Sequence, residues 1–155
     1  MKKSLFIFFF CWAIAIHASN QSELIVLNTS NLSLVLEVND KGTVLHQYFG
    51  QKLSDPSPFL LKKFYRTSEY GTRNEAYSTA GGKNFKEPAL RVTHHDGDLN
   101  TELSYQKHER DIDKEKGIEE LVIYLKDQKY DFEVKLLYKA YKKENVFTID
   151  RKSVV

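Results

Sequence analysis

A chain of 155 residues with 23 basic and 21 acidic side chains, a formal charge of +2 and 28% charged residues has the length of one domain. The near balance of charge excludes a basic nucleic-acid surface. A single cysteine excludes a disulfide framework, so the fold rests on a packed core.

Lys2 and Lys3 precede an apolar run from Leu5 to Ile16, closed by the small residue Ala18. This layout predicts a signal peptide over residues 1–18, with the mature chain starting at Ser19. The run falls short of the ~20 apolar residues that span a bilayer, so no membrane span is expected after cleavage. Cys11 is a poor lipidation site, because Phe8-Phe9-Phe10 lacks the small residues that precede an acylated cysteine. Removal of the leader takes away Lys2 and Lys3 and no acid, which leaves basic and acidic residues equal in number. Cys11, Trp12 and Met1, the sole residues of their kinds, leave with it. The expected location is exported, periplasmic or extracellular. The Asn-x-Ser sequons at Asn20, Asn28 and Asn31 are assigned to chance.

Leu24 to Leu27 reads as a short strand. Leu32, Leu34, Leu36 and Val38 recur every second residue and give a strand with one apolar face. Asn39-Asp40-Lys41-Gly42 turns the chain into a return strand from Thr43 to Phe49. Asp55-Pro56-Ser57-Pro58 is a breaker, and Phe59 to Tyr70 follows neither period, which predicts irregular structure.

Tyr77 to Asp98 interrupts the alternation. Gly81 and Gly82 permit positive φ, while Pro88 fixes its own φ and biases Glu87 toward extension. These features predict a shaped loop feeding a strand from Leu90 to Thr93. Asp96-Gly97 then predicts a tight reversal into a strand from Leu103 to Gln106. A long glycine-bearing loop on a β scaffold is a natural carrier of function.

Lys107 to Glu120 is dominated by charge of both signs and is expected to be a solvated connection. Leu121 to Leu125 and Phe132 to Ala140 read as strands joined by Lys126-Asp127-Gln128-Lys129. In the second, Phe132, Val134, Leu136, Tyr138 and Ala140 share one face and Asp131, Glu133, Lys135 and Lys139 the other. Lys142 to Asn145 turns the chain into a last strand from Val146. With no stretch at helical period, the expected fold is all-β, an antiparallel β-sandwich.

The chemistry-bearing patterns are few. His94 and His95 sit beside Asp96 and Asp98, but neighbours on an extended chain point to opposite faces and cannot share one metal ion. Asp96, Asp98 and Asn100 match the first ligands of a calcium loop, after which Thr101 stands where glycine is needed and Lys107 where glutamate is needed. No nucleophile elbow, mature-chain cysteine or phosphate loop is present. A retaining glycosidase needs two carboxyl groups roughly 5 Å apart, one with a raised pKa, and nothing marks such a pair. The abundant tyrosines and phenylalanines suit sugar stacking or core filling, and the alternation places several of them inward.

Three ordered segments carry a resemblance. These are Gly82 to Leu90 with Phe85, Pro88 and Ala89, leading to His95-Asp96-Gly97 and the strand ending in Tyr105; Val44 to Gly50; and Leu125-Lys126-Asp127 through Tyr138-Lys139-Ala140-Tyr141. Together they resemble the amino-terminal β-sandwich of the α-galactosidases of glycoside hydrolase family 36. The resemblance implies a supersandwich, incomplete at its C-terminus here, over residues 19–155, followed in such enzymes by a (β/α)8 barrel and a carboxyl-terminal β domain. It implies an enzyme that removes terminal α-galactose from oligosaccharides such as raffinose and melibiose with retention, without a cofactor and as a homo-oligomer. The two catalytic aspartates lie on the barrel, so no residue of this chain is assigned a catalytic role and the chain alone is expected to be inactive. The loop from Gly81 to Pro88 is expected to reach toward the sugar pocket of the same or a neighbouring subunit. Asn84 stands there in place of an acidic residue and Lys86 in place of arginine. Asn84 is the candidate substrate-binding residue: its amide donates to and accepts from a hydroxyl, without the charge that strengthens the bond. A turn residue tolerant of unusual φ is the competing account of Asn84. A free-standing carbohydrate-binding or adhesive module, and a sandwich that only makes protein contacts, are the alternatives for the whole chain.

Overall fold

A computed structural model describes residues 22–61, 74–81 and 87–154. Strands β1 (Glu23–Asn28), β2 (Leu32–Val38) and β3 (Val44–Gln51) form an antiparallel meander in the order β1-β2-β3. The alternation of leucines across β2 turns Leu34, Leu36 and Val38 toward the core. Ser33 and Val35, on its other face, are also fully buried. The segment after β3 returns across that second face. There Leu53 donates its N–H to Ser33 Oγ at 3.0 Å, and Phe59 of the helical turn α1 (Pro58–Leu61) packs 5.6 Å from Tyr48. The stretch from Phe59, expected to be irregular, therefore opens on a helical turn, and residues 62–70 lie outside the described part.

The second sheet contains β4 (Leu103–Asp113), β5 (Ile118–Asp127), β6 (Glu133–Tyr141) and β7 (Val146–Val154), again an antiparallel meander in chain order. Leu121, Ile123 and Leu125 of β5 and Val134, Leu136, Tyr138 and Ala140 of β6 face the first sheet. With Phe132 they join Ile25, Leu27, Leu34, Leu36, Val38 and Val44 in one core. Each of these large apolar side chains contributes about 1.5–3 kcal/mol on burial. Two antiparallel sheets around one core form the sandwich that the alternation predicts.

Two expectations are corrected. The charged segment Lys107–Glu120 is a hairpin, with Lys107 to Asp113 paired to Tyr124 through Ile118. Charge of both signs fits it, because Lys107, Glu109 and Asp111 occupy the wet face of an edge strand, where backbone bonds hold the ladder whatever the side chains are. The strand expected at Leu90–Thr93 reduces to a single bridge, Thr79 with Leu90, and Leu103 pairs with Asp127 instead. The reversal at Asp96-Gly97 does form: Gly97 donates to His94 O at 2.9 Å with φ +84°, and His94 N donates to Asp98 O at 2.9 Å. It closes on itself without strands on either side.

The sheets are tied at their ends. Tyr105 N donates to Gly42 O at 2.8 Å, joining β4 to the β2–β3 turn. The β1–β2 turn bonds the β6–β7 turn, through Ser30 to Lys142 O and through Asn31 N to Asn145 Oδ1.

Candidate functional site

The loop that left the pattern of alternation leaves the sandwich through a closed neck. Ser78 O accepts the N–H groups of Ala89 and Leu90 at 3.0 and 3.2 Å, and Ser78 Oγ also accepts from Ala89 at 3.1 Å. Thr79 is buried, donates its hydroxyl to Thr101 O and bridges Leu90 in parallel. Outgoing and returning chain are thus bonded to each other at the base.

Gly81, two residues beyond Thr79, is wedged against Thr101. A β-carbon there would lie 2.5 Å from Thr101 N and 2.9 Å from its carbonyl oxygen. Close backbone approach, and not the positive φ expected of it, is the reason position 81 is glycine. Gly82 lies outside the described residues.

Thr101 is itself fully buried, and its hydroxyl pairs with His94 Nε2 at 3.0 Å. The His94 ring stacks on Tyr130 at 3.5 Å and meets the core residue Phe132 edge-on at 6.2 Å. A continuous series of contacts therefore runs from the core through Phe132, His94 and Thr101 to the base of the loop. Beside it Asp127 Oδ1 accepts the N–H groups of Lys129 and Tyr130, and Asp127 Oδ2 accepts that of Glu102, each at 2.8 Å.

Asp96 and Asp98, the candidate calcium ligands, hold an internal cation. Lys129 Nζ lies 3.3 and 3.0 Å from them, and the Tyr130 hydroxyl lies 2.9 and 3.0 Å from them. The backbone N–H of Asp98, then the Tyr130 hydroxyl and Lys129, hold Asp96 at a pKa of about 2. Asp98 is held lower still, first by the N–H of Asn100. The Tyr130 hydroxyl and the two carboxylates raise Lys129 above its ordinary range. Asn100 bonds Asp98 through its backbone, and His95 faces the edge of Tyr130 at 6.0 Å, so the candidate ligands do not converge. Among the described residues no group of three or more His, Cys, Asp or Glu is placed to hold a metal ion.

Between the neck and the β2–β3 turn lies an open cleft of about 190 Å3, lined among others by Lys41, Glu75, Tyr77, Gly81, Glu102 and Gln128. Among the carboxylates, Asp55, Asp96, Asp98, Glu109 and Asp113 are held below their ordinary values, each chiefly by hydrogen bonds it accepts. Buried tyrosine and phenylalanine, Tyr138 and Phe132, belong to the core.

Asn84, the candidate sugar contact, and residues 1–18, expected to form a leader, lie outside the described residues. Sequence reasoning missed Thr79, Thr101 and Tyr130. The one available signal was the paired glycine at position 81 beside a threonine-bearing return segment, and it does not reveal which backbone the glycine must touch.

Residues 42–153 match the glycosyl hydrolase family 36 N-terminal domain. The chain is 28% identical over 153 residues to alpha-galactosidase AgaA of Geobacillus stearothermophilus, an alignment covering 83% of this chain and 21% of that protein. The fold is similar to that of the alpha-galactosidase from Lactobacillus brevis, with a TM-score of 0.73, 20% identity, and 89% of this chain matched to 22% of that one. AgaA crystallised in complex with raffinose superposes with a TM-score of 0.68 at 24% identity, over 84% of this chain and 22% of that one. The chain thus spans about a fifth of the length of these relatives.

Proposed function

This chain belongs to the family of glycosyl hydrolase family 36 N-terminal domains, and from that premise we propose that it is the non-catalytic amino-terminal β-sandwich of an exported α-galactosidase acting on terminal α-galactosides of oligosaccharides. Its part is to hold the loop from Gly81 to Pro88, with Asn84, at the sugar pocket of the same or a neighbouring subunit. The observation that carries this reading is the neck. The two ends of the loop bond each other at Ser78, and Gly81 is wedged on a fully buried threonine, so the base of the loop is anchored to the sandwich. Such anchoring is what a substrate-contacting loop needs.

Bond cleavage belongs to a pair of acids in a larger protein. In support, Asp96, Asp98 and Glu109 are each stabilised in the charged form, the opposite of a general acid. Export rests on Lys2, Lys3 and the apolar run to Ile16.

The full chain, expressed in a bacterium, is assayed on an aryl α-galactoside and titrated calorimetrically with raffinose. Neither turnover nor heat of binding is expected, and the protein recovered outside the cytoplasm begins at Ser19. Turnover lost on replacing one of its own carboxylates would overturn the reading. Binding heat from the chain alone would instead favour a free-standing carbohydrate module.

A further inference from the structure

Polar contacts join the two sheets along one side and through the interior. On the side closed by Arg110 of β4, its Nη2 donates to Val26 O of β1 at 3.0 Å and its Nη1 meets Glu119 at 2.9 Å. In the interior the join is made by His46 of β3. It opposes the fully buried Leu36 on β2, so its ring faces the core. There it meets the ring of the fully buried Tyr138 edge-on at 6.3 Å, with Nε2 3.3 Å from the tyrosine hydroxyl.

The same residue holds the way into the loop. His46 N donates to Asn74 O at 2.7 Å, Ala76 N donates to Val44 O at 2.9 Å, and Glu75 bridges Leu45 between them. Two residues after Ala76 comes Ser78, whose carbonyl accepts from Ala89 and Leu90 at the neck. Beside His46 the ladder slips: Leu36 opposes His46 and Val35 opposes Tyr48, which leaves Gln47 as the extra residue of a β-bulge, where a strand bends.

We infer that His46 is a pH-sensitive latch on the neck of the loop: as the neutral imidazole it keeps residues 74–76 against β3, and on protonation it shifts at the bulge and releases them. An imidazolium in its place would carry a full charge into the core beside a hydroxyl that offers no countercharge. The charged and titratable groups on the elements around it are Glu37 of β2, which accepts from Gln47 Nε2 on the outer face, Glu75 and Tyr77 of the incoming segment, Tyr138 of β6, and Arg151 of β7, which lies over the Tyr77 ring at 5.7 Å. Burial is what holds the His46 pKa below its ordinary value. The ring relieves that cost by moving toward water, and its own N–H carries the movement to Asn74. That the latch regulates a sugar contact rests on the reading of the loop given above; the response of the neck does not, and it is measured on the chain itself.

In the full chain, two-dimensional NMR between pH 7 and pH 5 follows the His46 ring and the amides of Ala76, Ala89 and Leu90. The amides are expected to move with the midpoint of the ring, below 6.5. Their hydrogen exchange, corrected for the intrinsic rate, should quicken by up to about tenfold per pH unit, the limit for one linked proton. His46→Gln keeps a polar group in reach of Tyr138 but gains no proton, so its neck amides should hold their neutral-pH positions throughout. Neck amides that stay in place down to pH 5, that move with a midpoint other than that of the His46 ring, or that move equally in His46→Gln would overturn the latch. The comparison of midpoints in the unmodified chain decides the matter even where the variant is unstable.

Discussion

Gly81 stands so close to Thr101 that a β-carbon at position 81 would lie 2.5 Å from the Thr101 nitrogen. The obstacle is backbone on a fully buried residue, so it cannot swing aside as a side-chain tip would. Gly81→Ala must therefore push the loop base off Thr101. The expected loss is about 1–3 kcal/mol in urea unfolding, with amide shifts spreading to Thr79 and His94. Gly97→Ala is the control. It has open space around it but a φ of +84°, so its cost of about 1 kcal/mol stays within the turn.

Arg110 anchors the closed side of the sandwich. Glu119, with 7% of its side chain exposed, has Arg110 at 2.9 Å and Lys142 only at 3.9 Å. Arg110→Ala leaves that carboxylate with the distant lysine alone and frees Val26 O. Because the arginine is itself partly exposed, the expected loss is moderate, about 1–3 kcal/mol. Adding Glu119→Gln should restore part of it, and a double-mutant cycle measures the coupling.

Asp96 and Asp98 make the turn sensitive to acid. Both carboxyl groups are held below their unfolded value, first by backbone N–H groups, with Tyr130 and Lys129 adding to this. A depressed carboxylate stabilises the fold fully above the unfolded pKa, near 4, and that contribution disappears as pH falls toward about 2. Urea midpoints taken from pH 5 to pH 2 should therefore fall less steeply for Asp98→Asn than for the unmodified chain. Equal slopes would contradict the network.

His46 adds a second pH dependence, at milder acidity. Burial lowers its pKa below the ordinary value, and its Nε2 lies 3.3 Å from the Tyr138 hydroxyl. An imidazole kept neutral in the fold costs nothing above about pH 6.5, where the unfolded chain is neutral too. Below that pH the unfolded state gains a proton that the folded state resists, so stability falls. His46→Gln should flatten the loss between pH 7 and pH 5, and the imidazole resonances of His46 should titrate below 6.5.

Much of the sandwich was legible from periodicity. Alternation along Leu32–Val38 and Phe132–Ala140 marked which residues face the core, because side chains on a strand change sides at every step and one side of each strand was uniformly apolar. The same rule failed at Lys107–Glu120. An edge strand wet on its outer face need show no apolar stripe, and hydrogen bonds between backbones leave no trace in side-chain identity. Asn84 and the leader came from motif and resemblance, not from alternation.

What the sequence determined by itself is the set of inward faces, the turns at Asn39–Gly42 and Asp96-Gly97, and the family the chain resembles. All of these depend on residues within a few positions of one another. What only the tertiary structure decided is that Gly81 answers to Thr101, that Lys129 fills the space between Asp96 and Asp98, and that Arg110 of β4 reaches Val26 O of β1 across the two sheets. Each of these is a contact between distant segments. Local pattern says which way a residue points, while the order of the strands says what it finds there.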